Sequence, residues 1–279
     1  MREITSEAIR DAVASLCVSA NIRLPDDVSA ALEKACATEP WPLARDGLAV
    51  LKKNLAVAAE KEIPICQDTG AACVFAEVGT EVHIVGDFFT AVNEGVIQGY
   101  SDGYLRKSIA ADPLRRGNTG DNSPVFLSTE LVPGNQVRLT VLPKGFGSEN
   151  MSALKMLKPS DGVEGVIRFV TDTVRQAGSN PCPPVILGVG IGGTFDKVTA
   201  LAKKALLRPL GQAHPDPYYA ELEAALLEAV NALGIGPQGF GGRTTCLNVA
   251  IEKMPTHVAG LPVAVNVSCH ALRRGSVTL

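Results

Sequence analysis

Apolar positions recur at helical spacing through the first sixty residues, so this stretch reads as a run of helices. Ile4–Val18 forms the first, and a second starts after Pro25 with Asp26 and Asp27 in capping positions. A third follows Pro42, where Leu48, Leu51, Leu55 and Ala58 fall on one stripe, and Pro64 closes it. The pattern then changes period. Ala71–Val78 reads as a strand, and Phe88–Ile109 as a long helix carrying Tyr100, Tyr104 and Arg106. Gly117–Pro124 has the composition of a polar loop. Val125–Val132 and Val137–Pro143 are strand-like and flank a Pro-Gly-Asn turn, which predicts a hairpin.

Downstream, helical patterns over 162–177, 194–207 and 216–233 are interleaved with strand patterns over 184–189, 246–252 and 261–267. No βαβ rhythm repeats. The expected class is therefore α+β: a helical N-terminal part packed on a mixed sheet with further helices, forming one domain over 1–279.

Composition narrows the function classes. With 20% charged and 46% apolar residues the chain is an ordinary globular protein. Its net charge of −3 carries no basic excess, so a nucleic-acid partner is not expected. No apolar run approaches the roughly 20 residues of a membrane span, and the N-terminus lacks an apolar signal core. Seven cysteines without a secretion signal point to a reducing compartment, the cytoplasm, rather than to a disulfide framework.

Three of those cysteines stand apart by their neighbours: Cys66 in Pro-Ile-Cys-Gln-Asp-Thr-Gly, Cys182 in Asn-Pro-Cys-Pro-Pro, and Cys269 in Val-Ser-Cys-His. Each opens or closes an apolar run, where a thiolate can face a cleft. Three thiolates on an iron–sulfur cluster would leave one iron without a protein ligand, and such an open position suits Lewis-acid chemistry. Cys17 and Cys36 lie in helical patterns and Cys73 and Cys246 in strand-like ones, so these four read as small core residues. A mononuclear zinc site fits less well, because zinc ligands usually come in close sequence pairs and none of the three cysteines has one.

Gly188-Val-Gly190-Ile-Gly192-Gly193 satisfies G-x-G-x-x-G between a strand and a helix. After that helix come Gly-Gln-Ala-His-Pro-Asp-Pro and another helix, not a second parallel strand ending in an acid. Close strand–helix packing is the better reading. Asp68 follows Cys66 closely enough to act as a general base near a bound metal, or Asp68-Thr69-Gly70 is simply an Asx turn. Arg106 has the fork that captures a carboxylate, or it lines a solvated helix face. His257 lies in a turn after Met254-Pro-Thr, where histidines are most often surface residues.

Taken in order, several strings settle into one pattern: Ile65-Cys-Gln-Asp-Thr-Gly70, Asn118-Thr-Gly, Lys144-Gly-Phe-Gly-Ser-Glu-Asn150 and Cys182-Pro-Pro-Val-Ile-Leu-Gly-Val-Gly-Ile-Gly-Gly193. Lys203-Lys-Ala-Leu-Leu-Arg208, Gly234-Ile-Gly-Pro-Gln-Gly239 and Pro262-Val-Ala-Val-Asn-Val-Ser-Cys-His270 complete it. From about residue 5 onward the chain resembles the α-type subunit of class I iron–sulfur hydro-lyases, the fumarases and the related L-tartrate dehydratases.

The resemblance implies a 4Fe-4S cluster on Cys66, Cys182 and Cys269, with its fourth iron open to substrate. It implies that Gln67, Asp68, Arg106, a glycine of the 145–147 loop and His257 contact a small C4 dicarboxylate, with Asp68 and His257 as the catalytic pair. Phe146 stands where relatives often have a further glycine, and Gly147 is taken as the contact. The strings Gly-Ser-Glu-Asn and Gly-Gly-Thr-Phe-Asp-Lys favour fumarate hydration over tartrate dehydration. Single-chain members continue into a β-type domain that adds arginines, a lysine and a threonine to the site. The resemblance thus implies a hetero-oligomer with a separate β-type subunit. The other functional class in view is a free-standing cluster- or carboxylate-binding module.

Overall fold

Two four-stranded mixed sheets with helices packed on them make this an α+β protein, as the interleaved patterns predict. The structure is a computed structural model describing Met1–Leu279. In chain order its elements begin β1 (Arg2–Thr5), α1 (Ser6–Ile22), α2 (Asp26–Thr38), α3 (Pro42–Lys61), β2 (Ala71–Gly79), β3 (Val82–Val85), α4 (Phe88–Asp102), β4 (Phe126–Val132) and β5 (Val137–Lys144). They continue with α5 (Phe146–Glu149), β6 (Ala153–Leu157), α6 (Gly162–Ala177), β7 (Val185–Gly192), α7 (Phe195–Ala205), α8 (Pro217–Asn231), β8 (Cys246–Met254), β9 (Leu261–Ser268) and β10 (Gly275–Thr278). No helix is long and apolar enough to cross a membrane.

The span forms two units with separate cores. The first comprises Met1–Pro25, Asn54–Phe146 and Arg273–Leu279. Its sheet runs β10-β5-β2-β4, and Ile9, Val13, Val74, Val92, Val96, Leu139 and Val141 are buried in its core. Thr5 caps α1 by accepting the Ala8 N–H, and Asp87 caps α4 by accepting that of Thr90. These bonds satisfy amides that the first helical turn leaves open.

Two expectations fail in this unit. The strands flanking the Pro133-Gly134-Asn135 turn do not pair with each other. β2 lies between them, antiparallel to β5 and parallel to β4. The turn crosses the end of β2 at Gly79, where a Cβ would stand 2.3 Å from the Gly134 carbonyl oxygen. A buried apolar strand wins the central place, and the local turn signal does not decide pairing. The long helix also ends early, at Asp102. Tyr104 takes φ +51°, Tyr104 N–H bonds the Ser101 carbonyl and Leu105 N–H bonds that of Tyr100. This is a Schellman ending with tyrosine in the left-handed position, and it puts Arg106 in an irregular segment rather than on the helix.

The second unit comprises Asp26–Lys53 and Gly147–Leu272. Its sheet runs β6-β9-β7-β8, and Val170, Leu187, Val189, Leu226, Ile251, Val265 and Val267 fill its core. β7 is buried at every position. Its glycines serve packing: a Cβ at Gly188 would stand 2.1 Å from the Ala202 carbonyl oxygen, and one at Gly190 would stand 2.2 Å from that of Val198. Helix α7 therefore lies directly against bare backbone, which accounts for the G-x-G-x-x-G string without a nucleotide.

Candidate functional site

In the first unit, Cys66, Gln67 and Asp68 lie in the irregular link between α3 and β2. Gln67 is exposed, while Cys66 and Asp68 are half-buried. The Asx turn expected as the simpler reading is present, because Asp68 Oδ1 accepts the Gly70 N–H at 3.0 Å. The other oxygen, Oδ2, accepts the Phe146 N–H at 2.9 Å. The carboxylate is thus held at both oxygens, and each still has lone-pair capacity for a further partner.

The chain around Asp68 is braced from below. Gly70 has φ +80°, and a Cβ there would lie 2.8 Å from Lys144 backbone, so only glycine fits this turn into β2. The Tyr100 hydroxyl, wholly buried, lies 2.9 Å from both the Thr69 and the Gly70 carbonyl oxygens. Burial first of all pushes its phenol far above the ordinary range, so it stays a donor. Asn122 Nδ2 donates to the Gly70 carbonyl at 3.3 Å, and Asn122 Oδ1 accepts the Ser108 N–H at 2.7 Å.

Arg106 joins the same group. Its N–H donates to Thr69 Oγ1 at 2.9 Å, and that hydroxyl donates to the Arg106 carbonyl at 3.2 Å. The guanidinium side of the residue is exposed. Gly145 is the loop glycine beside Asp68: a Cβ on it would lie 3.3 Å from Asp68 Oδ2 and 3.5 Å from Arg273 Nη2. Arg273 is buried, with Nη1 donating to Asn21 Oδ1 at 2.8 Å. A surface groove of about 510 Å³ at the opposite end of β2, lined by Glu77, Arg138 and Thr278, contains none of these residues.

In the second unit, Cys182 and Cys269 come to one end of the sheet. Ile186 of β7 pairs with Ser268 of β9, so Cys269 leaves its strand beside the point where the Cys182 turn enters. His270 Nδ1 lies 3.0 Å from the Cys182 carbonyl oxygen, a direct bridge between the two cysteine segments. Cys182 is exposed and adopts φ +55°. Gly147 approaches the same turn, as a Cβ on it would lie 3.8 Å from the Asn180 carbonyl oxygen.

His257 is exposed, as the simpler reading expects. Its turn is nonetheless anchored: Thr256 Oγ1 donates to the Gly193 carbonyl at 2.9 Å, and Gly193 N–H donates to that of Pro255 at 3.3 Å. His257 Nδ1 accepts the Ala259 N–H at 3.2 Å, so the neutral ring carries its proton on Nε2.

The cysteines sort by chemistry. Burial pushes the thiols of Cys17 and Cys246 up to about 12, and both are sealed in the cores. Cys73 is buried within β2, and Cys36 is half-buried on α2. Cys66, Cys182 and Cys269 lie outside regular elements or at a strand end, with solvent access and no disulfide. Thiols that must ionise to bind iron belong at such places, so this donor set fits an iron–sulfur cluster. No three His, Cys, Asp or Glu side chains gather as ligands of a single ion. A cluster makes no such demand, since each thiolate binds a different iron.

Tyr100, Asn122 and Arg273 belong to no string that marks a site, and Thr69, although it lies inside the Ile65–Gly70 string, carries no sign there of its bond to Arg106. All four act through bonds to segments far along the chain.

Comparison with known proteins covers nearly the whole sequence. The family described as Fumarate hydratase (Fumerase) matches residues 10–278. A Methanocaldococcus jannaschii protein provisionally named L(+)-tartrate dehydratase subunit alpha is 43% identical over 274 residues, covering 95% of each chain. The L(+)-tartrate dehydratase subunit alpha of Escherichia coli O157:H7 is 34% identical over 273 residues, covering 96% of this chain and 90% of that one. The protein of the same name from Escherichia coli K12 is 33% identical over the same shares. With the match running almost end to end, this chain belongs to the Fumarate hydratase (Fumerase) family.

Proposed function

We propose that the chain, acting over 1–279 as one catalytic module, is the α subunit of a two-subunit class I hydro-lyase. Its reaction is the reversible hydration of fumarate to (S)-malate. The observation that carries this reading is the doubly held Asp68 carboxylate two residues from Cys66, hydrogen-bonded into the segment that bears Arg106. A 4Fe-4S cluster on Cys66, Cys182 and Cys269 would supply Lewis-acid polarisation of the carbon–oxygen bond.

The residues of the chain do the rest. The exposed Arg106 fork binds one substrate carboxylate through paired N–H donors. Gln67 and the Gly147 amide donate to substrate oxygens and fix its orientation. Asp68 takes the proton from the carbon next to the one that loses hydroxide, and returns a proton to that carbon in hydration. Its oxygens are pinned by two backbone amides, so it meets that carbon without reorganising. His257, protonated at Nε2, donates to an oxygen of the substrate.

A dianion needs more cationic donors than Arg106 and His257 supply. A β-type subunit is proposed to add them, and the relatives' names as alpha subunits support this. A reducing, cytoplasmic setting suits seven cysteines without a disulfide. The relatives' names also favour a second reading, dehydration of L-tartrate, a dicarboxylate with one more hydroxyl than malate.

The test is to reconstitute the chain anaerobically and assay it alone and with its β-type partner on fumarate, malate and L-tartrate. Turnover only in the mixture is expected, faster with malate than with L-tartrate. The reverse ratio would select the tartrate reading, and full turnover by the chain alone would defeat the two-subunit one.

A further inference from the structure

Beyond the ligand set, we infer that Gln238 is a positioning residue for Cys182, acting through the carbonyl of Pro183. The inference rests on the cluster reading above. Gln238 donates to that single oxygen twice, from its backbone N–H at 2.7 Å and from its side-chain Nε2 at 2.7 Å. It can do so because it adopts φ 55°, ψ 14°, a left-handed conformation that brings its backbone and side-chain donors to one side. The oxygen it grips is the one backbone polar group of a buried proline, which has no N–H to anchor it.

The surrounding glycines shape the loop that makes this contact. A Cβ on Gly239 would stand 2.5 Å from Ser179 Cβ, and one on Gly236 would stand 1.7 Å from the Gly241 carbonyl oxygen. Gly239 therefore lets the loop fold over the Ser179–Pro183 turn, and Gly236 lets the loop close on itself at Gly241. This assigns a purpose to the Gly234-Ile-Gly-Pro-Gln-Gly239 string that the catalytic reading leaves unexplained.

Cys182 needs such support. A non-glycine residue at φ +55° is held there against its own preference and stays only when its neighbours over-determine it. Its N–H donates to the Ser179 carbonyl at 3.0 Å, and its carbonyl takes the His270 ring at 3.0 Å. Gln238 fixes the peptide beyond it. With the backbone constrained on both sides, the thiol direction is set before any iron arrives, as metal-binding side chains generally require of their outer supports.

The experiment compares wild type with Gln238→Met, which keeps length and removes the Nε2 donors, and Gln238→Gly, which keeps the left-handed backbone without a side chain. Measurements are made on the apo chain and on the reconstituted one. In the apo chain, hydrogen exchange at the Cys182 amide should quicken about fivefold in both variants, the factor that losing one ordinary hydrogen bond carries. In the anaerobically reconstituted chain, iron loss to a chelator should quicken by a similar factor, and the reduced-cluster electron paramagnetic resonance spectrum should broaden, while the melting temperature falls by only a few degrees. Exchange at Cys182 equal to wild type in both variants would overturn the assignment, whatever the iron does. Should wild type itself fail to take up iron and sulfide, the cluster reading falls, and the exchange result still decides whether Gln238 holds the turn.

Discussion

Thr69 and Arg106 are hydrogen-bonded in both directions through one hydroxyl, which accepts the Arg106 N–H at 2.9 Å and donates to the Arg106 carbonyl at 3.2 Å. Thr69 is buried, whereas Arg106 is exposed, so the bonds fasten the backbone of a surface arginine to the segment that leads into β2. Thr69→Val keeps the shape and deletes both bonds. It should cost on the order of 2 kcal/mol, because the Arg106 amide and carbonyl lose their partner. If Arg106 captures carboxylate, the variant's KM in the two-subunit enzyme should rise about tenfold with a smaller change in kcat. Thr69→Ser should restore both. A KM equal to wild type would detach Arg106 from substrate binding.

The cysteines should divide by function when each is changed to serine. Cys66→Ser, Cys182→Ser and Cys269→Ser are expected to lose iron on anaerobic reconstitution while the apo chain melts close to wild type. Cys17→Ser should retain iron but melt lower, by on the order of 1–3 kcal/mol, because it places a hydroxyl in a sealed core. Iron and sulfide analysis beside a melting curve separates the two groups. Full iron in any of the first three would remove that cysteine from the ligand set.

Glu39 gives the second unit a pH dependence of known sign. The residue is only 3% exposed, and burial by itself raises its carboxyl pKa. The N–H groups of Arg243, Trp41 and Thr244 and the Thr244 hydroxyl outweigh burial and hold it below the usual value of 4.5. A depressed folded-state pKa contributes stability above the unfolded value, lost as pH falls through the folded one. Glu39→Gln should therefore cost on the order of 2 kcal/mol at neutral pH. The gap from wild type should close as both are taken from about pH 5 to about pH 3. A gap constant across that range would show that the charge plays no part.

How much the sequence reveals depends on the range of the forces involved. Helix α6 occupies the expected span over 162–177, since its apolar stripe and bounding glycines act within a turn or two of chain. The hairpin expected over 125–143 does not form because β2, distant in sequence, takes the position between its strands. The same distinction holds in the site. Cys66, Gln67 and Asp68 stand in one string, but Tyr100 braces that string across 31 residues and Gln238 grips Pro183 across 55. Bonds of that span leave no periodicity. Arg106 is legible by residue type but not by element, since a left-handed tyrosine ends its helix where no glycine occupies that position.

Asp68→Asn is the sharpest test of the catalytic reading, and the structure adds a complication to it. Both carboxylate oxygens accept backbone N–H groups, from Gly70 at 3.0 Å and from Phe146 at 2.9 Å. An asparagine has one oxygen and one NH₂, so whichever way it turns a donor faces a donor. The substitution should thus cost on the order of 1–3 kcal/mol in stability, besides removing the base. Activity of the two-subunit enzyme should fall by about 10²–10⁴-fold, the range for a lost general base. The cluster absorbance should persist, since Cys66 keeps its own backbone. Gly145→Ala is the control that separates the effects: its Cβ would press on Asp68 Oδ2 from 3.3 Å while leaving the carboxylate charged. It should lower the melting temperature and retain most of the activity. If Asp68→Asn lost no more activity than Gly145→Ala, Asp68 would be a turn residue and the base would lie elsewhere.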